Sequence, residues 1–203
     1  MHHHRGAPSL AIALRRHRRS LIALLCLLGC APLLARTPAR IDQRTYPVDL
    51  ANATDLRRSL SAASPIREGG RVYHGYTRWF VRWRSVWRVD NGLCRMQRVS
   101  TEVDIEFTLP KATRLPHDHA SQQRYTDYLK ALRTHEQGHA DVAMQAAQQI
   151  KRALMAVPPQ PDCDQLSATA NARGHAIIEQ ARANERAYDD RTGHGRTQGA
   201  FLD

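Results

Sequence analysis

Acidic residues are missing from the first 30 positions, where five arginines stand (Arg5, Arg15, Arg16, Arg18, Arg19). Long apolar runs are missing too. The longest uncharged stretch, Ser20 to Ala35, falls short of the roughly 20 residues a helix needs to cross a bilayer, and Pro32 interrupts it. Lysine is scarce, with only Lys111, Lys130 and Lys151 among 30 basic residues. The excess of basic over acidic residues, 30 against 19, is therefore mostly arginine, and five of those charges lie in the leading segment. That weakens an argument for nucleic-acid binding from charge alone. With 203 residues and 42% apolar content, the chain has room for one domain with a real core and a leader, and it is not globally disordered.

A cationic segment followed by a short apolar one is the pattern of a secretory signal peptide. Leu27-Leu28-Gly29-Cys30 resembles a bacterial lipobox, which would end the leader at residue 30 and put a lipid anchor on Cys30; cleavage after Ala35 is the other option. The expected location is outside the cytoplasm: periplasmic, on the outer membrane as a lipoprotein, or secreted. Cysteine is as sparse as lysine. Cys26 and Cys30 lie in the leader, so Cys94 and Cys163 remain as an even pair, and in an exported chain these read as one disulfide.

Residues 36–45 are polar and read as a linker, and residues 46–203 as a single domain. Thr54 to Ala63 reads as a short helix with Thr54 as its N-cap. From Thr77 the apolar period is two: Thr77, Trp79, Val81 and Trp83 alternate with Arg78, Phe80, Arg82 and Arg84. Asp90-Asn91-Gly92 breaks the run, and a second alternation from Val99 to Leu109 ends at Pro110. Helical spacing follows from Ser121 to Pro158-Pro159, and again from about Gln165 to Tyr188; Asp189 to Gly199 reads as loop. The fold class is α+β, a small antiparallel sheet followed by a long helix and a second packed helix.

The long helix carries His135-Glu136-Gln137-Gly138-His139, an H-E-x-x-H pattern. Two histidines one turn apart project from one face and can share a Zn²⁺ ion, while Glu136, a step round the helix, can act as base on a water there. Gly138 costs about 1 kcal/mol against alanine inside a helix, which points to a close approach at that spot, by a neighbouring backbone or by substrate. A catalytic zinc site needs a third protein ligand. His194 sits in a Gly-flanked segment able to present one; Glu179, Glu185, Asp189 and Asp190 are the carboxylate rivals. Tyr188, His175 and Arg191 are the candidates for stabilising an oxyanion.

Together, the T-x-W-x-V-x-W strand (Thr77 to Trp83), Cys94, Leu109-Pro110, the H-E-x-G-H helix, Cys163, Tyr188-Asp189 and Thr192-x-His194-Gly195 resemble a bacterial family of uncharacterised secreted proteins predicted to be zinc-dependent proteases. The resemblance spans residues 45–200. It implies a zincin-like metallopeptidase with Zn²⁺ as cofactor, His135 and His139 as ligands, His194 as the third, Glu136 as catalytic base, and a peptide or protein of the cell envelope as substrate. Gln145 occupies the position six residues after His139, so the extended metzincin pattern is not met. In such enzymes an edge strand holds the peptide, and Val99–Leu109 is the expected strand. The alternative reading is a non-enzymatic, zinc-stabilised module that binds anionic glycan or lipid through the arginine and tryptophan stretch Arg78–Arg88.

Overall fold

The computed structural model describes residues 37–203. The expected signal peptide, with the lipobox-like Leu27–Cys30 and the two expected cleavage points, lies outside the described residues. The chain runs β1 (Ala39–Asp49), α1 (Leu56–Ala63), β2 (Ile66–Glu68), β3 (Arg71–Tyr73), β4 (Tyr76–Asp90), β5 (Leu93–Arg114), α2 (His119–Met155) and α3 (Cys163–Thr192), then a single 3-10 turn at Arg196–Gln198. The α+β class holds.

β4 and β5 form a long antiparallel hairpin in which Thr77 faces Phe107 and Asp90 faces Leu93. The turn between them is Asn91-Gly92, with φ of 51° and 74°. Positive φ at both central residues is the requirement of the tight hairpin turn whose twist matches the strands, and Asn-Gly meets it at little cost. Buried Val99, Val103, Ile105 and Leu109 alternate along β5 with more exposed residues, as the period of two demands.

Four expectations are corrected here. Residues 39–45 are not linker but the first half of β1, which pairs in parallel with β5 from Ala39 opposite Val103 onward. The three-stranded sheet, ordered β1-β5-β4, is therefore mixed and not purely antiparallel. The first seven residues of β1 are exposed side chains held by ladder hydrogen bonds, so apolar periodicity could not reveal them. β5 also runs past Pro110 to Arg114. The Val103 N–H points to the β1 side, so by alternation the nitrogen of Pro110 faces β4, whose last pair is Tyr76 with Thr108. No ladder bond is lost there. Finally, α1 is capped by Asp55, whose side chain accepts from the Arg58 N–H at 2.9 Å, one residue beyond Thr54.

α2 lies along one face of the sheet. Ala140, Ala143 and Ala147 meet Val103 and Ile105 at its middle, where small side chains let helix and strand come close. Tyr125, Tyr128 and Leu132 pack on Val48, Leu60 and Leu109 at one end, and Ile150 and Leu154 on Val99 and Leu166 at the other. α3 folds back along α2, and it continues through Asp189 and Asp190 to Thr192, well into the segment expected as loop. It stops only at Gly193, in the left-handed conformation (φ 56°), where a glycine terminates helices most cheaply. No helix among the described residues is long and apolar enough to cross a membrane.

Cys94 and Cys163 form the expected disulfide, with Cα atoms 5.2 Å apart. It ties the far end of the hairpin to the first residue of α3. On the chain-entropy argument, closing a loop of this separation (69 residues) stabilises the fold by about 4 kcal/mol. A Cys94→Ser/Cys163→Ser variant should lower the denaturant midpoint accordingly; a midpoint that does not move would show that packing alone holds this end.

Candidate metal centre

His135 and His139, one turn apart on α2, both direct Nε2 at the same atom, Asp189 Oδ1 on α3, each at 3.2 Å. Donors bound to one tetrahedral metal ion at 2.0–2.1 Å stand about 3.3–3.4 Å from one another. These three residues form a group that could hold a metal ion, with all donor atoms within 4.8 Å.

The protonation pattern tests the fit. His135 Nδ1 lies 3.0 Å from Gln198 Oε1. An amide oxygen only accepts, so Nδ1 carries the hydrogen and Nε2 turns a lone pair toward Asp189. His139 is arranged alike, its Nδ1 lying 3.4 Å from Glu185 Oε1, which in turn accepts from Trp79 Nε1 at 2.6 Å. Asp189 Oδ1 is buried and has no hydrogen-bond partner. Two lone pairs and an anionic oxygen thus converge, and a cation reconciles them. Burial disfavours charge on His139, but the Asp189 and Glu185 carboxylates overcome it and lift its pKa to about 9. Burial likewise disfavours charge on Asp189, yet the imidazoles of His135 and His139 hold its carboxyl far below the usual range. Without a metal, the site draws in protons as the next best cation. The residues present fit a divalent ion with imidazole and carboxylate ligands.

Glu136 is 4% exposed. Burial pushes its pKa up, opposed by a 2.6 Å hydrogen bond that Thr77 Oγ1 donates to Oε2. The other oxygen faces Gly75, where a Cβ would overlap it. Gly138 is explained in the same way: a Cβ there would overlap the Tyr188 hydroxyl and ring. That ring stacks on His135 (centroids 5.1 Å apart, 11° between planes) and meets His139 edge-on, while its hydroxyl donates to the His135 carbonyl at 3.1 Å. The close approach read from Gly138 is made by a side chain, and it fixes the rotation of both imidazoles.

His194 stands beside this group, with Nδ1 3.5 Å from Asp189 Oδ1. It is 40% exposed, holds a left-handed backbone (φ 52°) and rests edge-on against Tyr73. It is not among the three converging residues; Asp189, one of the rivals, is. Glu185 orients His139, whereas Asp190 and Glu179 are exposed and take no part. Of the oxyanion candidates, Tyr188 is engaged with His135, Arg191 is exposed, and His175 packs on Trp83. His74 is a satisfied, half-buried histidine, bonded to Ser61 and Tyr128, and desolvation lowers its pKa to about 4. Gln198 and Gly75 escaped the sequence reading, and Thr77 was read as a strand residue without its bond to Glu136. The pairing of Glu185 with Asp189, one turn apart like the two histidines, is the signal that could have found the α3 side.

A bacterial family of unknown function, DUF922, matches residues 43–195. The chain belongs to this family. No curated protein and no solved structure matches it. The DUF922 span contains His135, Glu136, His139, Asp189 and His194, and stops short of Gln198.

Two measurements follow from the geometry. Helix propensity predicts that Gly138→Ala stabilises by about 1 kcal/mol. The Tyr188 overlap predicts the opposite, a loss of about 1–3 kcal/mol together with weaker metal binding. Metal content per chain should collapse in Asp189→Ala and survive in His194→Ala. In Glu185→Gln, affinity should fall about 10–100-fold, the usual effect of removing a carboxylate that orients a ligating histidine.

Proposed function

We propose that the chain is an exported zinc-dependent metallohydrolase that cleaves peptide bonds, with Glu136 as general base. The observation that carries this reading is a buried carboxylate, Glu136, next to a group of three convergent donors found among the described residues. Structural zinc sites are closed by four protein ligands, whereas catalytic ones keep a position open. A non-enzymatic module would have no use for a desolvated glutamate held by Thr77. The disulfide is consistent with export.

The assigned ligands are His135, His139 and Asp189, with His194 beside them. Zinc bound there supplies Lewis acidity and a water acidified to a pKa of about 7. The chain's own residues do the rest. Thr77 holds Glu136 Oε2, which leaves Oε1 to take the proton of the attacking water and hand it to the departing amine nitrogen. Burial favours the protonated carboxyl in between.

The place for the peptide differs from the one expected. β5 is the central strand, with both edges paired, and cannot add a further strand. β1 and β4 are the edge strands, and of the two it is β4 that borders a cleft. A cleft of about 350 Å³ runs between it and α3, lined by Tyr76, Trp79, Trp83, Ile178, Arg182 and Glu185. Glu185 lines the cleft and also lies against His139 of the metal group, so an extended chain laid along β4 would end at the reacting centre.

Glu136→Gln is the test. Zinc should remain bound at one ion per chain while hydrolysis of a mixed peptide pool falls by several orders of magnitude. Equal turnover in wild type and variant would remove Glu136 from the reaction, and no turnover in either, with zinc bound, would favour the structural module.

A further inference from the structure

β1 ends the sheet on the side away from the cleft, and among the described residues no strand pairs with its outer edge. The ladder with β5 fixes which backbone groups point out. The Val103 N–H bonds the Pro38 carbonyl, so by alternation the even-numbered residues of β1 turn their N–H and C=O groups toward β5. Ala39, Ile41, Gln43 and Thr45 turn theirs outward. The next outward position is Pro47, which has no N–H to offer. The free hydrogen-bonding edge therefore runs from Ala39 to Thr45, and all seven of its side chains are exposed.

An open edge of this kind is a template for another strand, and edges that stay single are commonly guarded by lysine, proline or a bulge. Ala39–Thr45 has no lysine and no proline, and the register with β5 shifts only later, between Val48 and Asp49. Its charges alternate in sign: Arg40, Asp42, Arg44. That alternation is self-complementary. Only the outward residues can bond across a new ladder, so two copies of β1 pair antiparallel with odd positions opposite odd. Centring the pair on Ile41 sets Ile41 against Ile41 of the second copy, and Arg40 against Asp42 twice. Ala39 then stands opposite Gln43, and about six backbone hydrogen bonds form between the copies. Centring on Asp42 would set acid against acid and Arg40 against Arg44. Centring on Gln43 would bring Pro47 opposite Ala39 and call on Arg44, which Glu106 already holds at 2.7 Å. One register satisfies both backbone and charge.

We propose that this edge is a dimerisation surface, joining two copies of the chain through β1, centred on Ile41, into one continuous sheet. A two-fold contact uses the same patch on both copies and closes on itself. Ile41, opposite buried Ile105 yet 61% exposed, gains an apolar neighbour from its twin. β4 stays at the rim with its cleft open, so the proposal does not depend on the catalytic reading.

Sedimentation velocity of the full chain over a concentration series is the test. Wild type should pass from monomer to dimer. Arg40→Glu alone sets acid against acid, and Asp42→Lys alone sets base against base; each should weaken dimerisation by about tenfold or more. Mixed in equal amounts, these two variants carry opposite charges across the ladder and should recover the wild-type affinity. Ile41→Pro removes an outward N–H and no bond to β5, so that variant should fold and remain monomeric. Melting temperature and metal content of each variant report its folding. Association that persists equally in the single variants, as contact through the first 30 residues would give, contradicts the proposal. A mixture no tighter than its components, a dimer of folded Ile41→Pro, or a wild type that stays monomeric with the edge free for an extended peptide would each overturn it.

Discussion

Three donors converge where α2 and α3 run side by side, and one of them is a buried carboxylate oxygen with no hydrogen to accept. Such an arrangement is unfavourable by itself, because lone pairs face a buried anionic oxygen. The surrounding structure keeps it so. Gln198 and Glu185 take the Nδ1 hydrogens of the two imidazoles, Tyr188 fills the space left by Gly138 and stacks on His135, and Trp79 anchors Glu185 from the sheet. Each contact fixes a lone pair in position. A cation turns this cost into a binding energy, so the metal centre and the packing of α3 on α2 are coupled.

The sheet serves the same end. The hairpin presents Thr77 and Trp79 from neighbouring positions of one strand face, the first to Glu136 and the second to Glu185. One strand thereby orients both the candidate base and the residue behind a candidate ligand. The open edge of that strand borders the cleft that leads to the same centre.

Much of this was legible in the residues. The alternation of Val99 to Leu109, the helical spacing around His135 and His139, the Cys94–Cys163 pairing and the meaning of Gly138 all rest on local periodicity or on residue types with few uses. The misses have physical reasons as well. β1 has an exposed first half with no apolar period, and only its parallel pairing to β5 makes it a strand. Asp189 looked like loop because the segment it opens, Asp189 to Gly199, is rich in glycine and polar residues, yet the helix extends until Gly193 ends it. His194, a histidine among glycines, lies beside the group with Nδ1 3.5 Å from Asp189 Oδ1, and the oxygen that meets both α2 imidazoles belongs to Asp189, five residues earlier on α3. Gln198 could not be read at all, since a glutamine carries no pattern until folding brings it 3.0 Å from His135.

X-ray absorption at the zinc edge, on protein loaded to saturation, tests the central claim most directly. The account predicts one ion per chain, with the outer-shell scattering of two imidazoles and light nitrogen or oxygen donors at about 2.0–2.1 Å. A spectrum without imidazole scattering, or zinc that stays substoichiometric at saturation, would contradict it.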